Sequence, residues 1–169
     1  MSSVNKVAVI MGSKSDLPIV QGAFKIFDEF DVAYTARVMS AHRTPEIAAE
    51  FAAHAKENGI KVLICAAGMA AHLAGVMAAR TTLPVIGIPV ASEPFNGLDS
   101  LLSTVQMPPG IPVATVTAGK AGGKNAALMA VAILALSDEE LAGKLADFRA
   151  RQSEDVEKAD DELQKSMAK

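Results

Sequence analysis

Tryptophan is absent from these 169 residues and aromatics make up only 4% of them, so the core must be built from Ala, Val, Ile, Leu and Met. Small side chains of this kind let helices pack closely. Cysteine occurs once, as Cys65 in an apolar run; no internal disulfide is possible, which fits a reducing cytoplasm, and the thiol reads as core. There is no excess of positive charge: the net charge is −3 at pH 7 and the lysines are scattered, which argues against nucleic-acid binding. No apolar run reaches transmembrane length and no signal peptide is expected ahead of Val7, so the expected protein is soluble and cytoplasmic, without a membrane partner. Also missing are a Walker loop and any His or Cys at metal-ligand spacing, so no ATP, metal or other cofactor is expected.

What is present is one repeated pattern: a short apolar strand, a polar or glycine-bearing loop, then a helix. That repetition predicts an α/β fold with a parallel sheet. The length suits a single domain over 1–169, with a core over about 6–136 and a C-terminal helical extension over about 137–169. Strands are expected at Lys6 to Met11, Val32 to Met39, Lys61 to Ala66, Val85 to Val90 and Val113 to Thr117, with Pro89 putting the fourth at risk. The first helix starts with Ser15 or Asp16 as cap and Pro18 in its first turn, and turns Ile19, Val20, Ala23, Phe24, Phe27 and Phe30 inward. A second, capped by Thr44, has Ile47, Phe51 and Ala55 as its apolar stripe. A third, from Ala70 to about Thr81, is apolar all round; burying it on every side calls for other subunits as well as the sheet. A short helical piece is expected near Leu98 to Thr104. Gly119, Gly122 and Gly123 read as a flexible turn into a helix from about Asn125 to Leu136. Ser137-Asp138-Glu139-Glu140 has capping-box spacing and opens a charged helix with apolar points at Leu141, Leu145 and Phe148. Disorder is expected in its last dozen residues.

The residues able to do chemistry gather in three loops at strand carboxyl ends. Ligands bind at that edge of open parallel sheets, so the three should meet there. Gly12-Ser13-Lys14-Ser15-Asp16 offers side-chain oxygens and free amides at a helix N-terminus, a place suited to phosphate, although serine and aspartate there are also ordinary turn and cap residues. Ser40-Ala41-His42-Arg43-Thr44-Pro45 brings together an imidazole, a guanidinium and two hydroxyls, which makes His42 the first candidate for an acid/base; the plainer alternatives are a capping histidine and a surface ion pair for Arg43. The third loop runs Ala67-Gly68-Met69-Ala70-Ala71-His72-Leu73. Here Gly68 would let the backbone approach a ligand, and His72 reads as a pocket wall more than a proton carrier. His54, mid-helix beside Phe51, reads as a half-buried packing residue.

The three loops, in this order, resemble the signature loops of the bacterial PurE family of N5-carboxyaminoimidazole ribonucleotide mutases, of purine biosynthesis. The similarity extends from about Val7 to Leu136 and includes Asp99-Ser100-Leu101 and Gln106-Met107-Pro108. The resemblance implies a flavodoxin-like three-layer αβα sandwich whose C-terminal helical arm reaches a neighbour, in a homo-octamer with sites shared between subunits. It implies that Ser13, Ser15, Asp16, Ser40 and Arg43 hold the ribose and phosphate of a small ribonucleotide. His42 would be the acid/base, and Gly68, His72 and Leu73 would enclose the aminoimidazole and the migrating carboxylate. Met69 and Ala74 depart from the usual glycine and proline, at positions expected beside the pocket. The reaction moves a carboxyl from N5 to ring carbon 4, so an amine must gain a proton and C4 must lose one. One imidazole can do both in sequence, and a site closed against water would retain the released CO2. A separate ATP-dependent synthetase would make the carbamate.

Two other functions remain to be weighed against this one. The sister carboxylase, which joins CO2 directly to aminoimidazole ribonucleotide, resembles this loop but has lysine after the histidine, where Arg43-Thr44-Pro45 follows the mutase pattern. A noncatalytic flavodoxin-like module holding phosphate or flavin would want stacking aromatics near these loops, and the sequence places none there.

Overall fold

The structure is a computed structural model and describes residues 5–168; the stretch before them, part of what the expectation of no leader rests on, and Lys169 lie outside it. Five parallel strands form one sheet in the order β2-β1-β3-β4-β5, comprising β1 Val7–Met11, β2 Tyr34–Val38, β3 Val62–Gly68, β4 Val85–Val90 and β5 Ala114–Thr115. This is the flavodoxin-like order, and helices separate the strands as α/β crossovers require. They are α1 Leu17–Glu29, α2 Pro45–His54, α3 Leu73–Ala78, α4 Leu98–Val105, α5 Lys120–Ala135 and α6 Glu139–Met167. Two compact units, 1–130 and 131–169, divide the chain, with the boundary inside α5.

β1 is buried at all five positions because β2 and β3 flank it, with Val9 opposite Ala36 on one side and Ile64 on the other. Its alternate residues serve opposite faces. Ala8 and Ile10 join Leu63 and Cys65 of β3 in a cluster with Ala48 and Ala52 of α2 and Leu73, Ala74 and Met77 of α3. Val7 and Val9 face the other way, the side on which α1 and α5 meet: Gly123 of α5 lies against the Ile19 carbonyl of α1, and Gly122 against Ile88 of β4. Each fully buried Val, Ile or Leu in these layers contributes about 1.5–3 kcal/mol. Burial pushes the Cys65 thiol up to about 12, so it is inert core, as its apolar run suggests. Among the described residues no helix is long and apolar enough to cross a membrane.

Several expectations change. Pro89 does not interrupt β4: it pairs in register with Ala67 of β3, and its carbonyl accepts from the Gly119 amide on the side where β5 has already ended, so the missing N–H leaves no ladder bond unmade. Of the two caps expected for α1, Asp16 stands at the N-cap position, although its side chain makes no capping hydrogen bond to α1; it is instead the reciprocal partner of Ser13, which caps the short turn Lys14–Asp16 just before. The buried stripe of α2 is Ala48, Ala52 and Ala55, whereas Ile47 is exposed and Phe51 half-buried. His54 is exposed and paired with Glu57 at 2.9 Å, which raises its pKa through the hydrogen bond to that carboxylate. α3 has only six residues, shorter than expected, of which Leu73, Ala74 and Met77 are buried in its own chain while Gly75, Val76 and Ala78 are half-buried. Gly122 and Gly123 are buried inside α5, not in a turn before it. α6 is capped by Asp138, which accepts from the Leu141 amide, and it stays helical to Met167 where disorder was expected.

Candidate active site

The strand order reverses between β1 and β3, since β1 leads outward to β2 and β3 leads to β4. A crevice opens at such a reversal, at the carboxyl ends of the strands. All three chemistry-bearing loops line one cleft of about 650 Å³ there.

Ser13 organises the first loop. Its hydroxyl accepts from the Ser15 amide at 3.3 Å and from the Ser15 hydroxyl at 2.8 Å, while Asp16 Oδ2 accepts from the Ser13 amide at 3.1 Å. Asp16 is 8% exposed. Desolvation raises its pKa, and the Ser13 amide, the Ser15 hydroxyl and the charge of Arg43 act against that rise. In the second loop, Ser40 Oγ accepts from the amides of His42 and Arg43 at 3.3 and 3.1 Å. Thr44, at the start of α2, turns its hydroxyl back to the Ser40 backbone instead of capping the helix. Arg43 Nη2 donates to the Gly12 carbonyl at 3.0 Å and so joins the second loop to the first.

His42 meets the third loop through a ring-to-ring hydrogen bond. Its Nε2 lies 2.9 Å from His72 Nδ1, with the rings edge-on at 5.0 Å between centroids. One of these two nitrogens carries the proton and the other accepts it. Leu73 lines the cleft while remaining buried in the core. Gly68 lines it too, and a Cβ there would come 3.1 Å from the Val90 carbonyl, so the neighbouring strand leaves little room for a side chain at this position. Met69 borders the cleft in a left-handed conformation, φ 56°. Ala74 is in the core against Gly87 and not beside the pocket, contrary to expectation.

All nine candidate residues therefore line one cleft. Sequence reasoning missed a fourth loop, Val90-Ala91-Ser92, which completes the wall. The strand-end rule applies equally to β4, so the end of the strand expected over Val85 to Val90 was the signal that could have found it. The Ser92 hydroxyl is buried with no hydrogen-bond partner among the described residues.

Fold and cleft define an α/β protein with a cleft at its topological switch point, lined by hydroxyls, a guanidinium and paired imidazoles. The AIR carboxylase family model matches residues 6–155, and the chain belongs to that family. It is 54% identical over 157 residues to the N5-carboxyaminoimidazole ribonucleotide mutase of Bacillus subtilis, covering 93% of this chain and 97% of that protein. It is 57% identical over 144 residues to the mutase of the same name from Pyrococcus abyssi, covering 85% and 82%. Among solved structures it resembles Treponema denticola PurE, with a TM-score of 0.83, 28% identity and coverage of 93% and 97%.

Proposed function

We propose that this chain converts N5-carboxyaminoimidazole ribonucleotide to 4-carboxy-5-aminoimidazole ribonucleotide, with His42 as the general acid/base. It is a mutase of purine biosynthesis. The observation that carries the residue assignment is the position of His42 between the hydroxyl- and arginine-bearing loops and the His72 loop. Ser13, Ser15, Asp16, Ser40 and Arg43 hold the ribose and phosphate, for which a guanidinium and a helix-start loop are suited. Gly68, His72 and Leu73 enclose the aminoimidazole and its carboxyl.

Protonated His42 gives its proton to N5 as the N–CO2 bond breaks, leaving aminoimidazole and CO2 in the cleft. C4 then attacks the CO2 carbon, and neutral His42 takes the C4 proton. The imidazole ends as it began, so proton and electron counts close without ATP, metal or any other cofactor. Ala67, Gly68, Met69 and Leu73 give CO2 an apolar wall against which to wait. An ATP-using synthetase supplies the carbamate. The working state is a cytoplasmic homo-octamer with sites shared between subunits, the whole chain serving as one catalytic domain with a helical extension.

The test compares the two ribonucleotides at low and at saturating bicarbonate, following the C4 carboxylate by absorbance. We expect fast, bicarbonate-independent turnover of the carbamate, and use of aminoimidazole ribonucleotide only at high CO2. Efficient use of aminoimidazole ribonucleotide at low CO2, with little turnover of the carbamate, would establish the direct carboxylase instead.

A further inference from the structure

One side chain outside the cleft ties the His72 loop to α4. Ala71, the residue before His72, is 1% exposed, so water does not serve its amide; it donates instead to Ser103 Oγ at 2.9 Å. The Ser103 proton goes one turn back along α4 to the Asp99 carbonyl at 2.6 Å, which leaves the oxygen lone pairs for the loop. The same hydroxyl lies 3.3 Å from the Met69 carbonyl. Met69 holds a left-handed φ of 56°, a conformation that a non-glycine residue keeps only where its surroundings fix it. The next link is His72 Nδ1, 2.9 Å from His42 Nε2.

We propose that Ser103 is a positioning residue for the reaction: through the Ala71 amide it sets the His72 ring, and His72 in turn fixes the orientation and tautomer of His42. The proposal rests on the reading of His42 as acid/base. A hydrogen bond between two rings tolerates little displacement, and a shift of about 1 Å at a reacting group costs up to roughly 100-fold in rate. Ser103 does not border the cleft, so its loss should act on turnover and leave the phosphate end of the substrate bound as before.

The experiment compares Ser103→Ala and Ser103→Thr with the unaltered protein. Ser103→Ala should lower kcat by about 10- to 100-fold with KM within about twofold, and Ser103→Thr, which keeps the hydroxyl, should recover most of the loss. In protein labelled with 15N-histidine, the ring resonances of His42 and His72 should move in Ser103→Ala and return in Ser103→Thr. Should Ser103→Ala not fold, Ser103→Cys keeps the volume with a weaker acceptor and should show a smaller loss of kcat. A folded Ser103→Ala or Ser103→Cys with unchanged kcat and unmoved histidine resonances, or with only a lower Tm, would overturn the proposal. If the unaltered protein did not turn over the carbamate, the function would be wrong, while the histidine spectra would still decide whether Ser103 sets the two rings.

Discussion

His42 and Arg43 are adjacent but should fail differently when replaced. His42→Asn removes the group that carries both protons; turnover should fall by at least about 10²–10⁴-fold, with ribonucleotide affinity retained in a calorimetric titration. Retained activity within a few-fold would remove His42 from the chemistry. Arg43→Ala should instead weaken binding, because a charge-assisted contact to the phosphate is lost; unchanged substrate affinity would show that Arg43 is not a phosphate ligand. Asp16 adds a pH dependence. Its folded pKa is raised above 3.8, mainly by desolvation, so the folded state binds the proton more tightly than the unfolded chain does. The resulting stability is fully present below pH 3.8 and is lost as pH rises through the raised value, leaving an ionised, desolvated carboxylate at neutral pH. Asp16→Asn can still accept from the Ser13 amide. It should therefore melt no lower than the unaltered protein at pH 7, with its relative advantage shrinking as the pH approaches 3.8, while ribonucleotide affinity falls. Melting curves at pH 7 and pH 4 check the sign.

At the scale of elements, glycine has opposite meanings in α5 and α6. Replacing a helix-interior glycine by alanine should gain about 0.5–1 kcal/mol where nothing else interferes. Gly143 in α6 meets that condition, since a Cβ there would have nothing within 4 Å. Gly123 does not: its Cβ would run into the Ile19 carbonyl of α1, and backbone cannot move aside cheaply. Gly143→Ala should raise the midpoint of urea unfolding and Gly123→Ala should lower it, despite identical chemistry. Equal shifts of the same sign would mean that α1 and α5 do not approach this closely. The sequence showed three glycines in a short stretch, which reads as a turn; that two of them are contact points is visible only with α1 and β4 in place.

On the scale of the whole molecule, α4 is inverted. Ser100 and Thr104 are buried and hydrogen-bonded to carbonyls of their own helix and its cap. Leu98, Leu101, Leu102 and Val105, spaced as one helical face, are 57%, 38%, 50% and 46% exposed. A leucine face left open beside buried hydroxyls suits contact with another copy, and it supports the octamer we propose. Leu98→Glu combined with Leu102→Glu should lower the mass found by light scattering from eight chains to fewer. An unchanged assembly would free this face of that role.

The sheet, its parallel sense and the three loops were legible because strand, loop and helix alternate with clear hydrophobic period, and because Ser13, Asp16, His42, Arg43 and His72 all fall just past strand ends. Local rules carry that much: periodicity marks the elements, and a strand's carboxyl end marks where a ligand can reach. Tertiary structure decided the rest. Ile47 and Phe51 looked like the inner stripe of α2, yet Ala48 and Ala52 are the residues of that helix buried in the cluster with Leu63 and Cys65, and Phe51 packs only at its margin. Pro89 fits inside β4 only because β5 ends before reaching it. The bond between His42 and His72 joins residues thirty positions apart. Periodicity describes one element against an unnamed core, whereas packing, register and ring contact depend on which neighbour arrives and how near it comes.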